Sequence, residues 1–238
     1  MEKKKSVDIV IPTYYKEAGA LEKRLLEQIK FYQQTLKKYA WRIVVANNGP
    51  KKEVLPVVQQ MMKKYKFLSY TDIDTPGRGI ALRHTWLNSK ADMLVYMDAD
   101  LATSLNSLPP MLELLATDAD VVIGSRYVPG ANVHRTFSRW LLSRVYNILL
   151  RVFLNLDIAD SQCGFKGIRR EVAQVVIPKI KDQWWFFDTE MLYVAKKIGY
   201  TVKEIPVEWY EQEETSVQLI KVSLDYIKNI IRLRFSRL

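Results

Sequence analysis

Cysteine is almost absent from this chain of 238 residues: Cys163 stands alone, which excludes an intrachain disulfide framework and a cysteine-rich metal centre. Histidine is nearly as scarce. His84 and His134 are the only two, too few for a histidine-built zinc site. No run of about 18 apolar residues occurs, so the sequence offers no membrane-spanning helix. The opening MEKKK and the short run Val7 to Pro12 lack the apolar stretch of a signal peptide. The expectation is a cytoplasmic protein, soluble or peripheral at the cytoplasmic face of a membrane. Gly/Ser linkers and internal repeats are missing too, and the chain reads as a single domain over 1–238.

Apolar residues make up 48% of the chain, enough to bury a sizeable core, and charged residues make up 26%. The charge is lopsided, with a net +10 and a pI near 9.5. Such an excess favours polyanionic partners: nucleic acid, an anionic membrane surface, or phosphate-rich small molecules. The basic stripe with interleaved stacking aromatics that marks a nucleic-acid binder is not found, so nucleic acid is the partner least expected.

The first half alternates short β-branched runs with amphipathic stretches. Strands are predicted at Val7–Pro12, Trp41–Ala46, Phe67–Asp72, Met93–Asp98 and Val121–Gly124, with helices near 18–38, 53–65, 79–88 and 107–117. This βαβα order predicts an α/β fold, a mostly parallel sheet with helices on both faces. Ligands of such sheets bind beyond the carboxyl ends of the strands. The groups ending these strands are Pro12-Thr13-Tyr14, Asn47-Asn48-Gly49, Asp72 with Asp74, Asp98-Ala99-Asp100, and Gly124-Ser125-Arg126, and all five are expected to face one cleft. Later, 137–155 reads as a helix apolar around most of its circumference, broken by a polar stripe of Arg139, Ser143, Asn147 and Arg151. Further strands are predicted at 162–168 and 201–209, a helix at 188–198, and a last amphipathic helix from Val217 to the end.

Tyr96-Met97-Asp98-Ala99-Asp100-Leu101 carries the strongest chemical signal. Two carboxylates one residue apart, where the chain leaves a sheet, can share a hard divalent cation such as Mg²⁺ or Mn²⁺, and that cation can hold phosphate oxygens. The plainer alternative is an Asp-initiated turn. Thr75 to Arg83 opens a helix with Gly77, Gly79, Arg78 and Arg83, a pattern suited to a diphosphate or equally to a loop with a solvated basic face. Arg126, with Arg139 and Ser143 one helical turn apart, can clamp a phosphate by charge-assisted hydrogen bonds. Asp188 and Glu190, after the aromatic run Trp184 to Phe187, are candidates for a general base or for sugar-hydroxyl ligands; Asp188 can also cap the following helix.

Together these segments resemble family 2 glycosyltransferases of the GT-A fold, of the dolichol-phosphate mannosyltransferase and polyprenyl-phosphate glycosyltransferase type. The matching stretches, in order, are Ile11 to Tyr14, Ala46 to Gly49, Pro76 to Gly79 with Ala81 to Arg83, Tyr96 to Asp100, and Gly124 to Arg126. They continue with Ser143-Arg144 and Tyr146-Asn147, Asp160 with Gln162 to Lys166, Trp185 to Glu190, and Ile205 to Trp209. The resemblance implies an inverting transferase that moves a hexose from a nucleotide-diphosphate sugar, of GDP-mannose or UDP-glucose type, onto a polyprenyl phosphate. It implies that Asp98 and Asp100 handle metal and donor diphosphate, with Ala99 beside them. Pro12, Tyr14, Glu17 and Asn47 would contact the nucleotide, and Arg126, Arg139 and Ser143 would hold the acceptor phosphate. The chain departs from the pattern in reading Asn47-Asn48 for an acidic pair, Ala102 for a metal-binding Gln, and Thr215-Ser216-Val217 for Ser-Arg-Val. Two other readings stay open: a family 2 transferase acting on a sugar hydroxyl, and a catalytically weakened donor-binding protein.

A lipid acceptor implies contact with a membrane surface. In the tail, Ile220, Leu224, Ile227, Ile231, Phe235 and Leu238 fall on one helical face, with Lys221, Lys228, Arg232, Arg234 and Arg237 mainly elsewhere. A basic amphipathic helix of this kind suits a membrane surface, and it suits packing on a sheet equally well.

Overall fold

The computed structural model describes residues 4–13, 18–49, 51–211 and 219–236. The first half runs β1 (Ser6–Thr13), α1 (Ala18–Thr35), β2 (Ala40–Asn47), α2 (Lys51–Lys64), β3 (Leu68–Asp72), α3 (Arg78–Asn88), β4 (Met93–Met97), α4 (Leu108–Thr117) and β5 (Val121–Ser125). The second half adds β6 (Asn132–His134), α5 (Phe137–Leu154), β7 (Phe165–Arg169), α6 (Arg170–Val176), α7 (Phe187–Ile198), β8 (Val202–Pro206), β9 (Glu208–Tyr210) and α8 (Leu219–Phe235).

Seven strands form one sheet in the order β3-β2-β1-β4-β7-β5-β8, parallel throughout except for β7, which is antiparallel to both neighbours. Period-two alternation sends the strand side chains to two separate cores. Val10, Val44, Leu94, Tyr96 and Ile123 pack against α3, α6 and α7 on one face. Ile9, Ile11, Ile43, Val95 and Val122 pack against α1, α2 and α4 on the other. The helices answer with their own period: Leu21, Leu25, Ile29, Tyr32 and Leu36 all turn inward from α1 and its end. Pro109 and Pro110 sit in the first turn of α4, where a missing N–H leaves no hydrogen bond unmade.

Chain order runs outward from β1 through β2 to β3, then returns to place β4 on the other side of β1. This reversal opens the crevice beyond Thr13 and Asp98 where α/β folds take ligands. Because β7 is antiparallel, its first residues and the turn before it lie at this same end, beside the ends of β4 and β5.

The predicted helices on both faces and the first five strands appear within a few residues of their expected limits. The segment read as one strand over 201–209 is two. β8 stays in the main sheet as far as Pro206, while β9 pairs with β6 in a separate parallel ribbon. β6 is three residues long, too short for alternation to reveal it. The strand expected from 162 begins at Phe165, because Gly164 is spent on a turn against Asp98. The seven-residue helix α6 was not foreseen.

Candidate active site

Asp98 leaves the end of β4 with its N–H bonded to the Gly164 carbonyl at 3.1 Å. A Cβ on residue 164 would fall 1.7 Å from Asp98 Oδ2, so only glycine permits this approach. Arg78 Nη2 lies 2.8 Å from Asp98 Oδ1. Burial pushes the Asp98 carboxyl up to about 6; Arg78 works against the rise, and Asp100 and Asp188 add to it. Asp100 Oδ1 accepts the Ala102 N–H at 3.0 Å, and Leu101 between them holds a left-handed φ of 57°. That is a costly conformation for leucine, of the kind concentrated at functional turns. Ala99 is buried. Among the described residues no group of three or more acidic, cysteine or histidine side chains converges as a metal site. Two carboxylates at an open strand end still fit a hard cation whose remaining ligands come from a diphosphate, which is how Mg²⁺ is commonly held.

Behind Asp98 lies a buried polar cluster. Lys166, fully enclosed on β7, places Nζ 3.1 Å from Asp188 Oδ1 and donates to the Tyr96 hydroxyl at 3.3 Å and to the Cys163 carbonyl. Tyr96 in turn donates to Asp188. Arg78 lies over the Tyr96 ring at 5.0 Å and under Trp185 at 5.3 Å, so one cation bridges the aromatic cluster to Asp98. Its Nε is buried without a hydrogen-bond partner. Lys166 was not singled out from the sequence. The signal was there, a lysine between Phe165 and Gly167 in the strand FKGIR, which folding buries only with a paired charge.

These contacts correct several expectations. Asp188 is buried and committed to Lys166 and Tyr96, so it supports the site from behind and does not reach the cleft as a base. Glu190 accepts both guanidinium nitrogens of Arg232 and the N–H groups of Lys181 and Asp182, a purely internal role. Arg83, expected at the donor, donates to the carbonyls of Ile177 and Ile180. Gly79, expected to admit a ligand, is instead required by packing: a Cβ there would lie 2.8 Å from the Gln183 backbone and the Phe187 side chain.

On the other side of β1 the polar groups are less satisfied. Thr13 and Asn47 are register partners at the ends of β1 and β2. Thr13 Oγ1 and Asn47 Oδ1 are both buried with no hydrogen-bond partner, which is unusual unless a ligand supplies it. Asn47 Nδ2 donates to the Gly49 carbonyl at 2.9 Å and to Asp72 at 3.3 Å, and Tyr70 also donates to Asp72. Pro12 adjoins them on β1. Tyr14 and Glu17 lie outside the described residues.

Beyond β5 the site becomes cationic. Arg126 holds Asp160 with two guanidinium nitrogens at 2.7 and 2.8 Å and with its own N–H. Burial favours a protonated Asp160, but Arg126 outweighs it and keeps that carboxyl below its usual range. Arg135 donates to the Tyr127 hydroxyl and to Ser143 Oγ, both at 3.2 Å. Arg126 and Arg135 share the Trp209 ring, at 5.1 and 5.3 Å. Arg139 Nη1 pairs with Glu211 at 2.8 Å, and Glu211 also accepts the Thr136 N–H at the start of α5. Cys163 is buried between the two groups of charges. Burial pushes its thiol up to about 11, and Asp160, Arg126, Lys166 and Asp98 all act on it electrostatically.

The helix bearing Ser143 is inside out. The middle of its polar stripe turns inward: Ser143 and Asn147 are buried, and Asn147 Oδ1 accepts the Ser161 N–H and hydroxyl, while Arg139 is half-buried and Arg151 stays exposed with Asp157. Its apolar side turns outward, with Phe137 74% exposed and Leu141, Val145, Ile148 and Val152 also exposed. Helix α8 packs beside it. There Ile230 and Leu233 face the core, while Leu224, Ile227, Ile231 and Phe235 of the predicted apolar stripe are exposed. The described part of the stripe therefore does not pack on the sheet; the Ile220 side chain and Leu238 lie outside the described residues. No helix among the described residues is long and apolar enough to cross a membrane.

The strand order, with its reversal at β1 and β4 and its paired carboxylates at the end of β4, is that of the GT-A glycosyltransferase fold. The chain belongs to glycosyl transferase family 2, whose model matches residues 8–177. It is 33% identical over 228 residues to glycosyltransferase AglD of Haloferax volcanii, covering 95% of this chain but 36% of that protein. It is 30% identical to the dolichyl-phosphate beta-glucosyltransferase ALG5D of Trichomonas vaginalis, over 93% of this chain and 72% of that one. The human dolichyl-phosphate beta-glucosyltransferase is 27% identical, over 97% and 76%. The Trichomonas and human relatives are named as glucosyltransferases, not the mannosyltransferases that the sequence pattern suggested. Among solved structures, mannosyl-3-phosphoglycerate synthase from Rubrobacter xylanophilus shares the fold with a TM-score of 0.72 at 15% identity, over 98% of this chain and 76% of that one. Glucosyl-3-phosphoglycerate synthase from Mycobacterium tuberculosis, solved with Mn²⁺, UDP and phosphoglyceric acid, does so with a TM-score of 0.69 at 12% identity, over 98% and 80%.

Proposed function

We propose that this protein transfers glucose from a nucleotide-diphosphate donor, UDP-glucose first among those to test, to the phosphate of a polyprenyl lipid, with inversion. The observation that carries the reading is the state of Asp188. A sugar-hydroxyl acceptor needs a general base, and the acidic side chains expected to serve, Asp188 and Glu190, are both buried in ion pairs. A phosphate monoester is already largely ionised near neutral pH, with a second pKa of about 6, and needs no base. What such an acceptor needs is cationic surroundings, and Arg126, Arg139 and Ser143 border a pocket that supplies them.

In this reading Asp98 and Asp100 would hold a divalent cation, Mg²⁺ or Mn²⁺, whose positive charge would favour a nucleoside diphosphate as leaving group. Thr13 and Asn47 offer their unpartnered oxygens to the nucleotide. Asp98 is positioned by Gly164 and Arg78, and its surroundings are fixed by the Lys166–Asp188 pair. Arg126, immobilised by Asp160 and Trp209, orients the acceptor phosphate for in-line attack. The exposed apolar faces of α5 and α8 would rest on the cytoplasmic membrane surface and bring Ser143 to the lipid headgroups.

The test is a panel of nucleotide sugars offered with polyprenyl phosphate and Mg²⁺ or Mn²⁺, product being read as chloroform-soluble sugar. Metal-dependent transfer from UDP-glucose to polyprenyl phosphate is the expected result; transfer to free sugars with none to the lipid overturns the reading.

A further inference from the structure

We infer that Arg135 is a direct ligand of the acceptor phosphate, occupying the role that the sequence pattern assigns to Arg139; the inference rests on the lipid-phosphate acceptor proposed above. Arg126, Arg135 and Arg139 differ in what neutralises them. Arg126 is matched by Asp160 and Arg139 by Glu211. Arg135 has no carboxylate partner among the described residues; the partners of its Nη1 are the hydroxyls of Tyr127 and Ser143. Its Nε is buried with no hydrogen-bond partner at all.

Physical cost makes this arrangement informative. Burial and the charge of Arg126 both disfavour the Arg135 cation, and Asp160 and Glu211 lend it only distant compensation. A guanidinium held half-buried near another, both against the Trp209 ring, is costly unless an anion completes the site. A phosphate monoester does so, since its terminal oxygens match the fork of an arginine and leave one for the Ser143 hydroxyl, which already receives a hydrogen bond from Arg135. Arg139 is less available. Glu211 binds it and also caps the first turn of α5 through Thr136, so releasing Arg139 breaks two contacts. Two residues after Arg135, α5 begins with the exposed Phe137, followed by exposed Trp140 and Leu141, so an attached prenyl chain has an apolar surface to follow.

Binding of farnesyl phosphate to the full chain, followed by tryptophan fluorescence with farnesol as the phosphate-free control, tests this without requiring turnover. Wild type should bind farnesyl phosphate far better than farnesol. Arg135→Met should weaken farnesyl phosphate about 30-fold, Arg135→Lys less, and Arg139→Met only about 3-fold. In transfer assays Arg135→Met should raise the acceptor KM and leave the donor KM unchanged. Wild-type affinity in both Arg135 variants overturns the inference alone, as does a larger loss in Arg139→Met than in Arg135→Met. If wild type does not distinguish farnesyl phosphate from farnesol, the acceptor reading itself fails. Should Arg135→Met misfold, Arg135→Lys decides: it keeps the charge and loses the fork, so undiminished affinity counts against a direct contact.

Discussion

The two ends of the cleft are built on opposite electrostatic plans. At the end proposed for the donor the leading groups are carboxylates: the half-buried Asp98 and Asp100 stand at a strand terminus, and the cations Arg78 and Lys166 sit behind or beside them. At the acceptor end the arrangement is reversed. Arginines face the pocket, and their carboxylates, Asp160 and Glu211, hold them from behind. In the function proposed above, one end takes a cation carrying a diphosphate and the other a bare anion. The contrast teaches how one protein can bring two phosphate-bearing molecules together: each meets a counter-charge already anchored by a partner of its own.

The comparison breaks most sharply at Asp98. Asp98→Asn, which removes charge from the donor end alone, should lower transfer about a thousandfold while leaving farnesyl phosphate binding intact. Retention of a tenth of the activity would mean the donor is held elsewhere. Next comes the support behind it. Lys166→Met leaves the Asp188 carboxylate buried and unpaired and should cost roughly 3–5 kcal/mol in urea unfolding, with the Lys166→Met/Asp188→Leu double variant recovering much of the loss. A single-variant cost below about 1 kcal/mol would show that the pair is not what secures this region.

Smaller effects sharpen the picture. Gly164→Ala forces Asp98 from its place and should reduce turnover roughly 10- to 100-fold through the donor KM and kcat, sparing the acceptor KM. The smallest effect is one of pH. With the Asp98 carboxyl near 6, its ionised form is lost as pH falls, so metal-dependent donor affinity should drop about tenfold between pH 7 and pH 5. Stability runs the other way. A carboxyl whose folded pKa lies above its unfolded value favours the fold when protonated, and that contribution is lost as pH rises through about 6. Asp98→Asn should therefore be more stable than wild type at pH 7.5 by about 1 kcal/mol, discounted for solvent screening of a side chain 38% exposed, with the difference gone below pH 4. Equal thermal stability at both pH values would refute the shift.

Much of the frame was legible in the residues because local periodicity and fold-level rules agree. Apolar runs Val7 to Pro12 and Met93 to Met97 are too continuous for a half-exposed strand, and the parallel sheet follows. The position of Asp98 at a strand end was readable for the same reason. The environment of Arg83, Gly79 and Asp188 was not. Each has the chemistry of a ligand site in one dimension, and each is consumed by a segment distant in sequence: Ile177 and Ile180 for Arg83, Gln183 for Gly79, Lys166 for Asp188. Arg135 was overlooked because it precedes α5 and belongs to no periodic stripe, so nothing local marks it.

The sequence alone determined the layered α/β architecture, the family and the carboxylate pair, since these depend on spacing along one strand or helix and on ordered motifs. Only the tertiary structure decided which charges are spent and which are free. The energy of an ionisable side chain depends on what lies within a few ångströms, and for Arg126, Arg135 and Arg139 that is set by Asp160, Ser143 and Glu211, brought together by the turns beyond β5 and the ribbon of β6 and β9. The same holds for α5, whose apolar circumference was plain in the residues but whose outward-facing side was chosen by where Ser143 and Asn147 found their partners.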